Sequence, residues 1–493
     1  MAVAAPDPMS DPFDFRVEVT RGGADAVYVF DISLADPTGG SPKRHEYRLD
    51  TVQHEAYLDL FAAIARDFGT RMPRNRAPVA APTFRAPLQP LLTRNLTADI
   101  LYGYGDPAVL RVETSGDDPA YYLVVTSNDA PNAFPILRSL DLQHWEPRGF
   151  VFPDAETPRW AADGALVSDF WAPELHEVGG EFRVYFAARA RDDHVLAIGV
   201  ARSDSPDGPF VADAEPMLRD NVIDPHLFVD RDGEAILFWK RDSNDRWPSS
   251  LNELLFARPN LIAELFPRDE DRITASLLRA MWPWVRTLAP MERFFAQQVL
   301  IEATTSDFAG VKHRLADLAR PDAELPSGAR SLALEMLETL STPVFAQRLS
   351  ADGSSVIGER WLVLENDLDW EAHLVEGIWV SEHEGRYYLF YAGNDFSTAQ
   401  YGIGVAIAES PFGPYQKMAT PILRSTAEWS GPGHPSVANG PDGQPQLFLH
   451  AFYPEHAGYK EFRALLTVPI AFEPDRVVLR EPSMSSTSPS TTP

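Results

Sequence analysis

The stretch that decides the fold is APELHEVGGEFRVYFAARA at residues 172–190, followed by LAIGVARSDSPDGPF at 196–210. A near copy of this pair lies further along the chain, as EGIWVSEHEGRYYLFYAG at 376–393 and YGIGVAIAESPFGPY at 401–415. In each pair an acidic residue precedes an aromatic-rich strand, a second strand follows, and a turn with Ser, Pro and Gly ends the unit. Such runs bounded by turn residues are typical of β-strands. The chain therefore repeats a unit made of strands.

Weaker copies of the unit extend the repeat. They are GDPAVLRV at 105–112, DPHLFVDRDGEAILFWKR at 224–241 and GHPSVANGPDGQPQLFLHAF at 433–452. The intervals between successive leading residues are 68, 50, 152 and 58 residues, the leading residues being Asp106, Glu174, Asp224, Glu376 and His434. Removing roughly a hundred residues from the third interval leaves four spacings of the size of one propeller blade. We therefore predict a mainly β protein with a five-bladed β-propeller.

The remaining segments predict additions to this propeller. Segment 247–340 has helical periodicity in stretches such as LNELLFARPNLIAELF, which predicts a helical insertion in the third blade. Two strand-like runs near the amino terminus, and the helical spacing of HEAYLDLFAAIARDF, predict a small α+β module. The predicted organisation is an N-terminal module at 1–72, a Pro-rich linker at 73–96, the propeller at 97–480 and a disordered tail at 481–493.

Composition excludes several classes of function. The chain has 71 acidic and 43 basic residues and a formal net charge of −28, which disfavours nucleic acid and anionic lipid as partners. It has no cysteine, so disulfides, thiolate metal sites and thiol nucleophiles are impossible. No stretch approaches the roughly 18 apolar residues of a membrane span, and the amino terminus lacks the pattern of a secretory signal. We expect a cytoplasmic protein with a neutral partner such as a carbohydrate.

Three acids open repeated units and are the candidate catalytic groups. The innermost strand of each propeller blade lines the central channel, so Asp106, Asp224 and Glu376 are expected to converge. Cleavage of a glycosidic bond with inversion needs one carboxylate and one carboxylic acid. A single Asp-Pro is more typical of a turn or cap, and only the repeated placement favours a site. Apolar neighbours of Glu376 predict burial and a raised pKa, as a general acid requires.

These residues resemble glycoside hydrolase family 43, a five-bladed propeller family of inverting arabinan- and xylan-active enzymes. The resemblance covers about residues 97–475 and includes WAPE at 171–174 and GPGHPSV at 431–437. It implies that Asp106 in GDPAV is the general base and that Glu376 in VEGIWV is the general acid. It also implies that Asp224 in IDPHLF adjusts the pKa of the acid and helps to orient the substrate.

Further residues are candidates for substrate binding, each with a structural alternative. Glu174 can hydrogen-bond sugar hydroxyls or cap backbone amides, whereas Phe170, Trp171 and Trp379 can stack on sugar rings or pack between blades. The resemblance implies that His434 lies in the channel and binds calcium through waters, while a neutral hydrogen-bonded histidine is the alternative. Surface positions are expected for two basic residues, Lys240 and Arg241.

The function predicted from these observations is hydrolysis, with inversion, of a terminal α-L-arabinofuranosyl or β-D-xylosyl residue of an oligosaccharide. No cofactor is expected to be required, and any calcium would be structural. Self-association through the N-terminal module or the helical insertion stays open. The alternatives are a non-catalytic carbohydrate-binding propeller and a related retaining or phosphorolytic propeller enzyme of different sugar specificity. The first alternative is disfavoured because three acids in one channel repel one another unless chemistry uses them.

Overall fold

The structure is a computed structural model that describes residues 13–22, 25–35, 40–50, 54–69, 84–113, 119–127, 130–162, 169–244, 246–323, 327–454 and 456–482. The protein is mainly β. The predicted disordered tail and much of the predicted linker, at 483–493 and 73–83, lie outside the described residues. Among the helices that are described, none combines the length and the apolar character needed to cross a membrane.

Five antiparallel sheets follow one another along the described part of the chain, and each begins with the strand that carries one of the repeated motifs. The first sheet is β5 (Gly105–Val112), β6 (Ala120–Thr126), β7 (Ala133–Ser139) and β8 (Trp145–Phe152). The second is β9 (Trp171–Val178), β10 (Glu181–Arg189), β11 (Leu196–Ser203), β12 (Val211–Ala212) and β13 (Leu218–Arg219). The third is β14 (Val222–Val229), β15 (Ala235–Arg241), β16 (Val344–Leu349) and β17 (Val356–Leu364).

The fourth sheet is β18 (Val375–His383), β19 (Arg386–Gly393), β20 (Gly402–Ala408) and β21 (Gln416–Lys417). The fifth is β22 (Ser430–Asn439), β23 (Pro445–Phe452), β24 (Arg463–Glu473) and β25 (Arg476–Leu479), and β4 (Gln89–Leu92) pairs with β24. The first strands of successive sheets contact one another in the order β5, β9, β14, β18 and β22, and β22 contacts β5. The five motif-bearing strands therefore surround one axis.

Each of these inner strands is interrupted by a register shift close to its motif. A residue with positive φ lies at each interruption: Asp106 (φ 53°), Ala172 (47°), Asp224 (55°), Gly377 (60°) and His434 (49°). A bulge adds one residue to a strand and changes the direction of the neighbouring side chains. Such backbone conformations are costly for residues other than glycine and concentrate at functional sites. The bulges therefore mark where the strands present side chains to the axis.

Helices fill the connection between the second and third strands of the third sheet. The described residues of this connection form α2 (Trp247–Ala257), α3 (Leu261–Leu265), α4 (Asp269–Val285), α5 (Pro290–Thr305), α6 (Phe308–Ala319) and α7 (Ser327–Thr339). We call residues 247–339 the helical segment. At the amino terminus, β1 (Phe13–Gly22), β2 (Asp25–Leu34) and β3 (Lys43–Leu49) form a small sheet, followed by α1 (His54–Phe68).

The N-terminal sheet and the helical segment share one hydrophobic core. Trp284 of α4 lies at its centre, with ring centroids 4.9 Å from Phe30 and 5.4 Å from Tyr28. The hydroxyl of Tyr57 in α1 donates a hydrogen bond of 3.0 Å to the Glu292 carboxylate in α5. Two parts that are far apart in sequence therefore fold into one accessory unit. If the protein self-associates through the N-terminal module or the helical segment, the contact must use residues of these parts that lie outside their shared core.

Candidate active site

A pocket of about 140 Å³ opens where the inner strands meet. The carboxyls of Asp106, Asp224 and Glu376 all face it, although they come from three different sheets. The other lining residues are Trp171, Arg189, Ile223, Asp242, Asn244, Pro290, Met291, Phe294, Phe396, Tyr401, His434, His450, Gly458, Tyr459, Lys460 and Arg463. The structure therefore brings the three predicted catalytic acids together.

Asp106 is surrounded by groups that stabilise its charged form. Its Oδ1 lies 2.9 Å from Nη1 of Arg463, and its Oδ2 accepts a hydrogen bond from the Thr126 hydroxyl. His434 places Nδ1 3.4 Å from the same Oδ1. The neighbouring His450 is a buried neutral ring, because burial lowers its pKa well below the ordinary value, and its Nδ1 accepts a hydrogen bond from the backbone N–H of Asp106. Burial alone would raise the pKa of Asp106, but Arg463 and these neighbours outweigh it and hold the pKa below its ordinary value. Asp106 is a carboxylate throughout the working pH range of enzymes.

Glu376 is held at both of its oxygens. Its Oε1 accepts a hydrogen bond of 2.8 Å from the Tyr401 hydroxyl, and its Oε2 accepts one of 3.3 Å from Nζ of Lys240. Burial raises the pKa of Glu376 to about 7, with Lys240 lowering it and the charge of Asp224 raising it. The carboxyl therefore carries a proton in a large fraction of molecules near neutral pH.

Asp224 is buried beside Glu376 and is bound to its strand. Its Oδ2 accepts a hydrogen bond of 2.7 Å from the backbone N–H of Gly377, the residue after the acid. Burial raises the pKa of Asp224 to about 7, Lys240 opposes this rise, and the charge of Asp106 adds to it. Asp224 and Glu376 therefore belong to one buried cluster of charged residues. The charge of Asp224 raises the pKa of Glu376, and Lys240 lowers the pKa of both carboxyls.

Lys240 supplies the cation of this group. Its side chain has no exposed surface, and its Nζ lies 3.2 Å from Asp242 Oδ1 and 3.3 Å from Glu376 Oε2. Burial lowers the pKa of Lys240, but Asp242, Glu376 and Asp224 outweigh it and raise the pKa above its ordinary value. The prediction of a surface position is wrong for Lys240. Its side chain lies on the side of β15 that faces Glu376 and is fully buried there. Arg241, the next residue, is about one third exposed and pairs with Asp220.

Two glycines allow this close packing. A Cβ at Gly105 would lie 1.7 Å from the guanidinium carbon of Arg463, and a Cβ at Gly433 would lie 1.8 Å from the Tyr401 ring. Both distances are far inside van der Waals contact. Arg463 reaches Asp106, and Tyr401 reaches Glu376, because these positions carry no side chain.

Of the predicted substrate-binding residues, Trp171 and His434 line the pocket. Phe170 does not, because its ring is buried between sheets with Phe134 at 5.8 Å and Phe152 at 6.2 Å. Trp379 is also directed away from the pocket, and its ring lies 4.7 Å from that of His226. The structural alternative, packing between blades, describes Phe170 and Trp379 better than sugar stacking does.

Glu174 is likewise absent from the pocket lining and forms a buried cluster with two histidines. Its Oε2 lies 2.8 Å from Nε2 of His176 and 2.9 Å from Nδ1 of His226. These atoms lie close enough to suggest metal ligation. However, the backbone N–H of Val380 donates to Nε2 of His226 at 2.9 Å, so the proton of this ring is on Nδ1 and is directed at Glu174. Burial lowers the pKa of His226 to about 3, so the ring is neutral. Glu174 therefore orients two neutral histidines, and Nδ1 of His226 has no lone pair for a metal.

Several pocket residues had no recognisable signal in the sequence. Arg463 begins β24, Tyr401 precedes β20, and His450 lies in β23, all outside the motif-bearing strands. His450 Nδ1 accepts a hydrogen bond of 3.1 Å from the backbone N–H of Asp106. The sequence held one hint of burial for Lys240, which directly follows the apolar run ILFW. A lysine that continues a buried apolar strand can itself be buried.

A buried carboxylate, together with a buried carboxyl that is protonated in a large fraction of molecules near neutral pH, is the kind of pair with which glycosidases cleave glycosidic bonds. The fold and the site therefore define the class, a glycoside hydrolase. Within this class, the sequence pattern of Glycosyl hydrolases family 43 matches residues 100–260 and 337–478, which is more than half of the chain. The chain belongs to this family.

Individual relatives agree with this assignment. Xylosidase/arabinosidase 43A of Humicola insolens is 26% identical over 263 residues, which are 53% of this chain and 61% of that protein. Less than two thirds of the length of that relative is therefore matched. Xylosidase/arabinosidase of Bacteroides ovatus is 22% identical over 329 residues, which are 66% of this chain and 76% of that protein. A thermostable family-43 glycoside hydrolase of known crystal structure has a TM-score of 0.53 at 24% identity, over 79% of this chain and 96% of that one.

Proposed function

We propose that this chain removes a terminal α-L-arabinofuranosyl or β-D-xylosyl residue from a short glycoside, with inversion at the anomeric carbon. Family membership supports a glycosidase, and the names of the two curated relatives favour these two sugars. In this proposal the five sheets are the blades of a five-bladed propeller, and the helical segment is an insertion in the third blade. The contact of β22 with β5 supports such a ring.

The observation that carries the proposal is the opposite protonation of two acids in one pocket. Asp106 is held as a carboxylate by Arg463 and Thr126, whereas burial keeps a proton on Glu376 near neutral pH. A pair of groups whose environments separate their pKa values is the arrangement that assigns a base and an acid. Asp106 is the base and Glu376 the acid.

In the reaction, the oxygen of a water molecule bonds to the anomeric carbon while one of its protons moves to Asp106. The bond from the anomeric carbon to the leaving oxygen breaks, and this oxygen takes the proton of Glu376. A low pKa does not prevent Asp106 from acting, because water bonding to an oxocarbenium-like centre becomes strongly acidic as the bond forms. In this proposal Asp106 and Glu376 act on opposite faces of the sugar, so water attacks from the face opposite the leaving group.

The contacts of Glu376 indicate which oxygen delivers the proton. Lys240 can only donate, so Oε2 of Glu376 remains an acceptor and the proton resides on Oε1. Tyr401 faces Oε1, and burial and the charge of Glu376 raise the pKa of its phenol, which keeps Tyr401 protonated. Its hydroxyl donates to the carboxylate and accepts from the carboxylic acid, so Glu376 has a partner in both states.

Asp224 modulates the acid. Its negative charge raises the pKa of Glu376, and its hydrogen bond to Gly377 fixes the strand beside the acid. Neither contact transfers a proton to the substrate. We therefore assign Asp224 to positioning and to the control of proton affinity.

The product anomer tests the proposal. Proton NMR of the first product from an aryl xyloside or arabinofuranoside should show the inverted anomer before mutarotation. A retained anomer would make Asp106 a nucleophile and would favour the related retaining class. Binding of the sugar without any hydrolysis would favour a carbohydrate-binding propeller.

No step of this mechanism passes through a cofactor. Calcium prefers six to eight oxygen ligands, and the Asp106 carboxylate beside His434 is already paired with Arg463. Any calcium at His434 would therefore be held mainly by waters and would act structurally. Chelation should lower the melting temperature if such an ion is present. Unchanged stability and activity, with no copurifying metal, would remove calcium from the proposal.

A further inference from the structure

The first turn of α5 reaches the pocket that holds the carboxyls. Pro290, Met291 and Phe294 line this pocket, and we call these three residues the α5 wall. The match to the family pattern covers residues 100–260 and 337–478, so the wall lies outside the matched part of the chain. The pocket therefore combines residues that the family pattern covers with residues that it does not.

Contacts on both sides hold the α5 wall in place. The ring of Phe295 lies 5.2 Å from that of Tyr459, in the connection between β23 and β24. Glu292, within the same turn, accepts the hydrogen bond from Tyr57 of the N-terminal module. Met291 and Phe295 are buried. The accessory unit thus packs the wall against the connection between β23 and β24.

The helical segment is also anchored beside the general acid. It leaves β15 directly after Lys240 and Asp242, and Lys240 contacts Glu376. The Trp247 ring at its start lies 5.6 Å from His373, three residues before Glu376. The helical segment is therefore anchored next to the strand that carries Glu376.

The wall offers no hydrogen bond from its side chains. Sugar hydroxyls that lose water need polar partners, and burying each one without a partner costs roughly 5- to 150-fold in affinity. The polar side chains of the pocket, such as Asp106, Arg463 and Glu376, come from strands and their connections, and the α5 wall contributes none. We therefore expect the released sugar to bind among these polar residues. An apolar group is expected to contact the α5 wall.

We propose that the α5 wall is a leaving-group subsite that selects glycosides with a short alkyl or aryl leaving group over those with a further sugar. The proposal rests on the proposed function and names its substrate class. The wall contributes no catalytic group. It acts by contact with the apolar part of the leaving group next to the oxygen that Glu376 protonates.

A series of n-alkyl glycosides tests this subsite, because methyl, butyl and hexyl leaving groups differ little in pKa. In the intact protein, kcat/KM should rise with alkyl length, by up to about fourfold per methylene that becomes buried. It should be higher for the hexyl xyloside than for xylobiose. A flat series, or a xylobiose value equal to or above the hexyl value, would overturn the proposal.

Variants of the wall make the test specific. Phe294→Ala and Met291→Ala should flatten the rise with alkyl length, measured within each variant as the ratio of kcat/KM for the hexyl glycoside to kcat/KM for the methyl glycoside. The matched control is Phe256→Ala, which removes an exposed phenylalanine of α2 from outside the pocket lining and should keep the full rise. An unchanged rise in both wall variants would overturn the subsite.

Binding without turnover separates this proposal from the proposed function. In an Asp106→Asn background, calorimetry should show tighter binding of hexyl than of methyl xyloside, and Phe294→Ala should remove the difference. Equal affinities would contradict the subsite even if hydrolysis is observed. Absence of hydrolysis by the unaltered protein would contradict the proposed function, while the affinity difference would still support the wall.

Discussion

Replacement of Lys240 by methionine removes the buried cation that contacts Glu376, the proposed general acid. The Nζ of Lys240 lies 3.3 Å from Glu376 Oε2 and 3.2 Å from Asp242 Oδ1. Lys240 lowers the pKa of Glu376, so its loss should raise that pKa above about 7. Activity depends on protonated Glu376 and falls as pH rises through its pKa. The alkaline limb of the pH profile should therefore move to higher pH.

The size of this shift follows from Coulomb's law. Two unit charges 3.3 Å apart interact with about 1.3 kcal/mol in bulk water and about 5 kcal/mol at an effective dielectric constant of about 20. Since about 1.4 kcal/mol corresponds to one pH unit, and since buried groups relax when a charge is lost, we expect a shift of about one to three pH units. Loss of the cation should also destabilise the fold by about 3 to 5 kcal/mol, because buried carboxylates lose their partner.

The assay is kcat/KM for an aryl glycoside from pH 5 to 10, normalised to each variant's own maximum, so that a smaller folded fraction does not affect the shape. Lys240→Arg keeps the charge and should keep the alkaline limb near its original position. Asp242→Asn is the control of opposite sign, because the Asp242 charge raises the pKa of Glu376 and its loss should move the limb to lower pH. An unmoved limb in Lys240→Met, or shifts of the same sign in Lys240→Met and Asp242→Asn, would refute the assigned role of Lys240.

Three further predictions concern the other acids and the accessory unit. Glu376→Gln should nearly abolish cleavage of xylobiose and spare much of the rate on a nitrophenyl glycoside, because a nitrophenyl leaving group needs little protonation. Equal losses on the two substrates in steady-state assays would contradict the role of Glu376 as the acid. Asp224→Asn should move the alkaline limb to lower pH, since the Asp224 charge raises the pKa of Glu376; a pH profile identical to that of the unaltered protein would contradict this. Tyr57→Phe should lower the free energy of unfolding by about 1 to 3 kcal/mol in denaturant titrations, because the buried Glu292 carboxyl loses one of its hydrogen-bond donors, and an unchanged midpoint would argue against this link.

The repeated motifs located the three acids because each motif recurs once in each repeated group of strands. Each of the five sheets begins with the strand that carries the motif, so each motif occupies an equivalent place, and the bulge at Asp106, Asp224 or Glu376 directs the acid to the pocket. The prediction of burial for Glu376 from its apolar neighbours agrees with the pKa raised by burial. Helical periodicity likewise predicted helices in residues 247–339.

Side chains that reach the site from other strands could not be found in this way. Lys240 lies at the end of a second strand, and Arg463 and Tyr401 lie near the starts of others, so no repeat period aligns them with the acids. Their roles depend on which side chains meet across sheets, as when Gly105 leaves room for Arg463. The same limit applies to Phe170 and Glu174, whose motif positions resemble those of pocket residues although both are buried elsewhere.

By itself, the sequence determined the mainly β class, the repeated strand unit and the three acids that open its copies, because strand period and turn chemistry are local properties of the chain. Only the tertiary structure decided that Lys240 and Arg463 set the charge of these acids. It alone also showed that the N-terminal module and the helical segment share one core and bring Met291 and Phe294 to the pocket. The physical reason is that electrostatics and packing depend on distances across the fold, and residues far apart in sequence carry no local sign of being neighbours.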